Sequence, residues 1–458
     1  MRTATIVAAH IALLVCIFHV PPATASQLAI TNVHVVDVDT GQILPGQNVL
    51  IDGKQIHSIS SKPVSADQVI DGNGAYLIPG LIDMHVHIGP GDIEFFLRYG
   101  VTTIRDMGTQ TTPLEPLSGL LKARTQIDSG ERAGPEVFTP GLILDGDVER
   151  NPKYTPHFRT LASTAEAEQL VDQLAAANVD FLKVYSNLSE EVFLAIAERA
   201  RHHGLSLAGH LPHSVSLQQA ADANMRTIEH LRSILIDLAG KQAQIRDELA
   251  AAVATRDPGA ESKTYGQLTP QMLNAQTELQ RDQVFALMRN NGMAWTPTLT
   301  VLFDPRWDNP DAVPDPALLA NFSRLYQAIM TPYGPAEYPY DTVKQARDMF
   351  AETQHLVGLA HRAGVDILVG TDSANAFAVP GHSIHQELQF LVDSGLSPHQ
   401  ALRAATLVNA RYLNAQDRLG SIAVGNEADL VLLKRNPLED ISATKGILKV
   451  IVNGVRHR

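Results

Sequence analysis

Short apolar runs separated by turn signals mark both ends of the chain. Between residues 28 and 59, β-branched runs alternate with turn sequences at 39–41 and 52–54. The stretch 420–455 has the same character. These patterns predict small antiparallel strands, and we expect residues 26–79 and 417–458 to form one β-sandwich domain from both termini.

The middle of the chain has a different pattern of apolar and polar residues. Strand-like apolar runs alternate there with segments of helical spacing, which is typical of βα units and a parallel sheet. Eight such runs over this length predict an α/β fold, a closed (β/α)8 TIM-like barrel spanning residues 80–416. The runs are 81–88, 101–107, 136–144, 181–186, 206–211, 227–231, 294–301 and 366–373.

Several helices between these runs carry clear start and stop signals. The helix predicted over 188–203 has Ser189 as its N-cap and stops at Gly204. Pro398 begins another helix directly after Ser397. Two connections, 232–293 and 302–348, are long for a barrel. They either shape substrate access or serve as scaffold or as the contact of a homo-oligomer.

The first 25 residues have the pattern of a secretory signal peptide. Arg2 supplies a positive region, residues 6–20 are apolar, and Ala23-Thr24-Ala25 offers a cleavage site. An uncleaved membrane anchor is the alternative, but the apolar run is shorter than the about 20 residues that a bilayer requires. We therefore expect a secreted or periplasmic protein, cleaved near Ala25, without a stable membrane anchor.

Charge and cysteine content exclude several classes of function. The 458 residues contain 36 Lys and Arg against 49 Asp and Glu, a formal net charge of -13. This argues against nucleic acid or an anionic membrane as partner. Cys16 is the one cysteine and lies within the predicted signal peptide, so the mature chain would have no disulfide, thiolate ligand or cysteine nucleophile.

Two histidines one residue apart, His85 and His87, end the first apolar run of the predicted barrel. Residues i and i+2 of a strand share a face, so both imidazoles can reach one metal ion. The pair alone is a weak signal, because a buried histidine is often an ordinary core residue.

Further metal-ligating side chains end the later runs. Lys183, His210, His230 and Asp372 lie on the fourth, fifth, sixth and eighth runs, respectively. A barrel gathers the carboxyl ends of its strands at one face. Each residue alone has an ordinary alternative, as a paired lysine, a core histidine or a helix N-cap, but their order on successive runs indicates a metal site.

With these residues the chain resembles the amidohydrolase superfamily, in the branch near imidazolonepropionases and Xaa-Pro or Xaa-Arg dipeptidases. The resemblance covers essentially the whole mature chain and includes the sequence motifs at 380–383 and 425–430. It implies two divalent metal ions, with a bridging lysine and an aspartate that is both ligand and catalytic acid/base. On this chain the ligands of the first ion would be His85, His87 and Asp372, those of the second His210 and His230, with Lys183 between them.

Lysine can take this role only after a chemical change. Its ammonium has no lone pair and would repel two cations. In the resembling enzymes carbon dioxide converts the lysine to a carbamate, whose two oxygens can bridge metals, and the same is expected of Lys183. Zinc suits this ligand set best, although manganese, nickel or iron would also fit.

The resemblance implies hydrolysis of a C–N bond in a small substrate, such as a dipeptide or an N-acyl amino acid. A metal-bridging hydroxide would attack the carbonyl, and Asp372 would move the proton to the leaving nitrogen. Tyr185, His213 and His382 are candidates for holding a substrate carboxylate or the oxyanion. The family also includes enzymes that open bulky N-aroyl amino acids such as ochratoxin.

Other activities on the same scaffold stay open. A lactonase or esterase would use the same nucleophile. A deaminase of this superfamily runs on one metal and lacks the bridging lysine, so Lys183 favours the binuclear hydrolase. A non-catalytic barrel kept for binding is the remaining alternative.

Overall fold

The fold is taken from a computed structural model that describes residues 27–87, 89, 91–108, 116–146, 148, 158–257, 259–331 and 343–457. The predicted signal peptide with Cys16 lies outside the described residues. Across the described residues, no helix has both the length and the apolar character needed to cross a bilayer.

The two longest strands of the described chain lie near its beginning, and most of the others have three to six residues. The strands are β1 (Leu28–Asp37), β2 (Gln42–Asp52), β3 (Gln55–Ser60), β4 (Gln68–Asp71), β5 (Tyr76–Pro79), β6 (Leu81–Val86), β7 (Val101–Asp106), β8 (Glu136–Phe138), β9 (Ile143–Gly146), β10 (Phe158–Leu161), β11 (Leu182–Val184), β12 (Leu207–Gly209), β13 (Met225–Glu229), β14 (Ala294–Thr296), β15 (Leu430–Leu433), β16 (Ile447–Val452) and β17 (Val455–Arg456).

The α-helices lie mainly between the strands of the central region. They are α1 (Pro116–Asp128), α2 (Thr164–Ala176), α3 (Glu190–His202), α4 (Leu217–Asp222), α5 (Arg232–Leu238), α6 (Gln242–Ala254), α7 (Ala260–Asn274), α8 (Glu278–Asn290), α9 (Leu299–Leu302), α10 (Pro316–Leu319), α11 (Arg324–Met330), α12 (Val343–Arg362), α13 (Ile384–Asp393), α14 (Pro398–Arg403) and α15 (Asn409–Tyr412).

Strands from both termini share one eight-stranded sheet. Its order is β17-β16-β15-β5-β1-β2-β3, with β4 paired to β1. The antiparallel contact of β5 with β15 joins the two ends of the chain. A cluster that includes Ile30, Val49, Leu77, Leu430 and Ile451 is its apolar core. The predicted domain boundaries and the sandwich form stay predictions.

The central strands form two parallel sheets, β6-β7-β8 and β10-β9-β11-β12-β13-β14. The strands β6, β7, β11 and β12 are buried at every position, as expected of parallel strands covered on both faces. The structure therefore confirms the mixed α/β class and the parallel central strands, which curl around a common interior.

The eighth predicted run, 366–373, is not a regular strand. It makes isolated parallel bridges, Trp295 with Ile367 and Val86 with Ser373. Backbone hydrogen bonds nevertheless connect it on both sides, from Leu368 N to Trp295 O at 2.9 Å and from Met84 N to Val369 O at 2.9 Å. The segment thus lies between β14 and β6 and links the two parallel sheets.

Two further predicted runs are shorter than expected. The run 136–144 is interrupted between β8 and β9, because Pro140 has no backbone N–H to donate and Gly141 has a φ of +76°. β8 pairs with β7 and β9 pairs with β11, so the sheets separate at this break. The run 294–301 ends at Thr296, since Thr298 has a φ of +50° and α9 follows.

The predicted helix signals are confirmed. The side chain of Ser189 accepts a hydrogen bond from Val192 N at the start of α3. Ser397 and Gln400 form a capping box at the start of α14. The long connection 232–293 consists largely of the helices α5 to α8.

Candidate metal centre

The structure brings the predicted metal ligands together at the carboxyl ends of the parallel strands. His85 lies in β6, and His210 and His230 directly follow β12 and β13. The ring centroids of His85 and His230 are 4.9 Å apart, and those of His210 and His230 are 5.0 Å apart. His87 is close to His85, with ring centroids 5.3 Å apart.

Asp372 lies among these rings. Its Oδ1 is 3.6 Å from His85 Nε2 and 3.2 Å from His87 Nε2, and its Oδ2 is 3.8 Å from His230 Nε2. In the described part of the chain, ligand atoms of His85, His230 and Asp372 all lie within 4.8 Å of one another. Two ligands of a tetrahedral zinc ion lie about 3.4 Å apart, so this spacing fits a metal ion.

His85 supports the same interpretation from its hydrogen bonding. The residue is fully buried, and its Nε2 has no hydrogen-bond partner among the described residues. A buried polar atom without a partner is costly, and a metal ion would supply one. Burial, followed by the nearby charge of Lys183, lowers the pKa of His85 to about 3, so the ring is neutral and keeps a lone pair.

Lys183 lies in β11 and is 1% exposed. Burial lowers its pKa to about 8, although the carboxylates of Glu229 and Asp372 oppose the shift. Gly209 makes room beside it, because a Cβ there would lie 2.2 Å from Val184 O and 3.0 Å from Lys183 Cδ. A fully buried lysine is unusual and is normally paired with a negative charge.

Two of the site residues have unfavourable backbone conformations. His230 has a φ of +61° and Asp372 a φ of +55°. Side chains other than glycine adopt this left-handed region at an energetic cost, and such residues cluster at functional sites. At both positions the side chain faces another predicted ligand, with His230 Nε2 3.8 Å from Asp372 Oδ2.

The surroundings of Asp372 favour its carboxylate form. Burial raises its pKa, but the imidazoles of His85, His87 and His230 outweigh burial and hold the pKa well below its ordinary value. Asn375 Nδ2 donates to Asp372 Oδ1 at 3.0 Å and to its backbone oxygen at 2.7 Å. The amide therefore fixes one carboxylate oxygen, while the other faces His230.

The sequence did not predict the groups that form hydrogen bonds with Nδ1 of each imidazole. Every Nδ1 of the four histidines has a partner, whereas the Nε2 atoms of His85, His87 and His230 point toward Asp372. The Nδ1 partners are Glu229 Oε2 for His85 at 2.8 Å, Gly108 O for His87 at 3.0 Å, Ser186 Oγ for His210 at 2.9 Å and Thr298 Oγ1 for His230 at 2.6 Å.

Glu229 could have been noticed in the sequence, because it directly precedes His230 on the same run. Alternation along a strand places it on the opposite face from its neighbour. There it meets Arg105, with Nη2 2.8 Å from Glu229 Oε1. Burial opposes ionisation of Glu229, but Arg105 and His85 hold its pKa well below the ordinary range.

The three predicted substrate contacts differ in where they lie. Tyr185 stacks on His210, with ring centroids 3.9 Å apart and an interplanar angle of 24°. His213 is buried, and its Nε2 contacts Glu261 Oε1 of α7 at 2.7 Å. His382 is exposed and packs edge-on against Tyr99, in an open groove of about 440 Å³.

Of these three, then, the structure brings Tyr185 into contact with a metal-site histidine. Glu261 contacts both His213 and Arg232, so α7 of the long connection 232–293 packs against the segment that follows His210. Long-range packing of this kind carries no local sequence signal.

Comparison with known proteins identifies related chains. A family model described as the amidohydrolase family matches residues 76–235 and 349–456, more than half of the chain. An adenine deaminase of Desulforamulus reducens is 27% identical over 200 residues, 40% of this chain and 32% of that protein. An ochratoxinase of Aspergillus niger is 43% identical over 84 residues, 18% of this chain and 16% of that protein. The matches thus span a third or less of these relatives.

Solved structures show the same fold over nearly the whole chain. A Xaa-Pro dipeptidase with bound methionine superposes with a TM-score of 0.68 at 20% identity, covering 94% of this chain and 100% of that one. A putative prolidase from Bifidobacterium longum has a TM-score of 0.68 at 23% identity, with 95% of each chain covered. The bottromycin amidohydrolase has a TM-score of 0.70 at 22% identity, covering 93% of this chain and 86% of that one.

Proposed function

Because the chain belongs to the amidohydrolase family, we propose that it is a metal-dependent hydrolase that cleaves the C–N bond of a small substrate, such as a dipeptide or an N-acyl amino acid. The observation that carries this proposal is the close group of the buried His85 and Asp372 with the half-buried His230, together with the partnerless Nε2 of His85. The similar structures include a Xaa-Pro dipeptidase and an amidohydrolase, which favours an amide over a lactone or an ester.

The proposed fold is the eight-stranded barrel of this family. The two parallel sheets and the segment 366–373 would be its wall, and the sheet from both termini would be a separate β-domain. Hydrogen bonds of 366–373 to both β14 and β6 support this proposal.

The proposed metal centre contains two divalent ions, with zinc as the best match. His85, His87 and Asp372 would hold one ion, His210 and His230 the other, and Lys183 as a carbamate would lie between them. When bound, such ions lower the pKa of water and polarise a carbonyl group. Lys183 is buried and interacts electrostatically with all four histidines, which supports a modified, anionic side chain at this position.

The chain's own residues supply proton transfer and positioning. The imidazoles around Asp372 hold its pKa low, so the carboxylate can accept a proton from the attacking water and then return it to the leaving nitrogen. Asn375 keeps the carboxylate in one orientation during this exchange. Tyr185, stacked on His210, is close enough to the centre to contact a substrate carboxylate or the oxyanion.

The proposed location is outside the cytoplasm, after cleavage of residues 1–25. It follows from the sequence pattern of that segment alone. Assembly into a homo-oligomer stays a prediction.

A substrate screen of the metal-loaded chain tests the proposed function. We expect hydrolysis of members of a dipeptide and N-acyl amino acid library, with kcat/KM values above those for matched esters and lactones. Chelation should abolish turnover, and added Zn²⁺ should restore it, because the ligands are neutral imidazoles and carboxylates. Adenine is included, since one relative is an adenine deaminase. A protein without bound metal that is inert toward amides, esters, lactones and adenine would contradict the proposal.

Replacement of Lys183 by alanine tests the two-metal centre. We expect fewer metal ions per chain than in the wild type and a loss of kcat/KM of at least about 100-fold. Removing a residue that only forms a hydrogen bond with a metal ligand already lowers metal affinity or activity by about 10–100-fold. A short carboxylic acid added to Lys183→Ala should recover part of the activity, since it can fill the place of the carbamate. The matched control is Lys344→Ala, whose side chain is 83% exposed. Full metal content and activity in Lys183→Ala would show that the lysine does not bridge.

A further inference from the structure

The Nδ1 partners divide the four histidines into two pairs. His85 faces the carboxylate of Glu229, and His87 faces the backbone oxygen of Gly108. A carboxylate paired with arginine and a peptide oxygen can only accept hydrogen bonds. When these rings are neutral, their hydrogen must therefore lie on Nδ1, which leaves the lone pair on Nε2, the atom that points toward Asp372.

The other two rings face hydroxyl groups. His210 contacts Ser186 Oγ, and His230 contacts Thr298 Oγ1. A hydroxyl both donates and accepts, so either tautomer of these rings is satisfied. A ring with its hydrogen on Nε2 cannot offer that atom to a metal until it changes tautomer.

Glu229 itself is held rigidly. Its Oε1 accepts from Arg105 Nη2 at 2.8 Å and from the Thr227 hydroxyl at 2.7 Å, while Oε2 accepts from His85. Arg105 in turn donates from Nε to Met84 O at 2.6 Å. Glu229 is fully buried and Arg105 is 3% exposed, so water does not compete for these contacts. A fixed anion behind His85 sets its ring orientation and increases its strength as a ligand.

We propose that Glu229, clamped by Arg105, sets the order in which the centre takes up metal. His85 and His87 already present the lone pairs of their Nε2 atoms, so this side takes the first ion tightly. The side with His210 and His230 takes the second ion more weakly. This inference rests on the proposed two-metal function and assigns Glu229 as a positioning residue, not as a ligand.

The test titrates the metal-free full-length chain with Co²⁺, following both the visible absorption of the bound ion and the free ion by chelator competition. We expect two phases, with the first at least about tenfold tighter, because outer-shell partners change metal affinity by 10–100-fold. Glu229→Gln should weaken the first phase by about 10–100-fold and change its absorption spectrum, with a smaller effect on the second. Glu229→Asp, which keeps the charge, should retain part of the first-phase affinity.

Thr298→Val is the matched control, because it removes the hydroxyl behind His230 while keeping the side-chain shape. It should alter the second phase and leave the first unchanged. A wild type that binds two ions with equal affinity, or a Glu229→Gln variant that changes both phases equally, would overturn the inference but leave the proposed hydrolase intact. A wild type that binds no Co²⁺ would overturn both.

A measurement on the wild type guards against a variant that fails to fold. Histidine labelled with ¹⁵N reports the tautomer of each ring in the metal-free protein at alkaline pH. We expect the Nδ1–H form for His85 and His87, and averaged signals for His210 and His230. An Nε2–H form at His85, or the same tautomer mixture in all four rings, would contradict the inference.

Discussion

Asp372→Asn is expected to lower kcat by about 10²–10⁴-fold, the range for removal of a general acid/base. The variant keeps the size of the side chain and its contact with Asn375, but it removes the negative charge that lies among three imidazoles. An amide cannot take a proton from water near neutral pH. KM should change much less than kcat, because no substrate contact is assigned to this carboxylate. Steady-state kinetics with the substrate found in the screen give both values.

The control for this prediction lies on the same segment. Asp366→Asn makes the same chemical change at a carboxylate that accepts from the Tyr412 hydroxyl at 3.0 Å. Its activity should stay near that of the wild type. Metal analysis of Asp372→Asn distinguishes a role as metal ligand from a role as proton carrier. Loss of one ion together with loss of activity would indicate a ligand. Full metal content with lost activity would indicate a proton carrier. Wild-type kcat in Asp372→Asn would rule out both.

The largest expected effect on stability comes from Arg105→Leu. The substitution leaves Glu229 buried at 0% exposure without its cation, and it also removes donors from Met84 O and Thr227. Breaking one side of a buried ion pair costs about 3–5 kcal/mol. This is a large part of the 5–15 kcal/mol by which proteins are typically stable. Urea unfolding of the metal-free protein measures the loss.

Two further variants test whether the buried pair is the cause. Arg105→Leu combined with Glu229→Leu removes the unpaired charge, so the double variant should be more stable than Arg105→Leu alone. Arg435→Leu removes an arginine from an exposed pair of similar length, 2.9 Å to Asp440, and should leave the unfolding midpoint unchanged. Equal losses for Arg105→Leu and Arg435→Leu would show that burial of the pair does not matter.

The sequence was sufficient to predict the family and which histidines lie close together. The amidohydrolase resemblance is confirmed by the family match, and the α/β class is confirmed by the parallel sheets. His85, His87, His210 and His230 could be located because each ends an apolar run, and parallel strands bring such ends to one edge. That relation is local in sequence, since it needs only the position of each residue within its own run.

The sequence was less informative about where regular strands stop. The run 136–144 and the run 366–373 have the composition of strands, yet the first breaks at Pro140 and Gly141, and the second makes only isolated bridges. In the second case Asp372 has a positive φ, which no propensity predicts. Apolar composition predicts burial well, whereas hydrogen-bond registry depends on the neighbouring segment.

Only the tertiary structure determined which groups form hydrogen bonds and ion pairs with the histidines and with one another. His85 and Glu229 are separated by 144 residues, Arg105 and Glu229 by 124, and His213 and Glu261 by 48. These contacts depend on how strands and helices pack in space, and a single sequence contains no periodicity that pairs such distant positions. The sequence by itself therefore determined which side chains meet at the carboxyl edge of the strands, because the positions at which the apolar runs end are visible in it. The fold determined how each imidazole is oriented and held, because a hydrogen bond requires its two partners to lie within about 3 Å of each other.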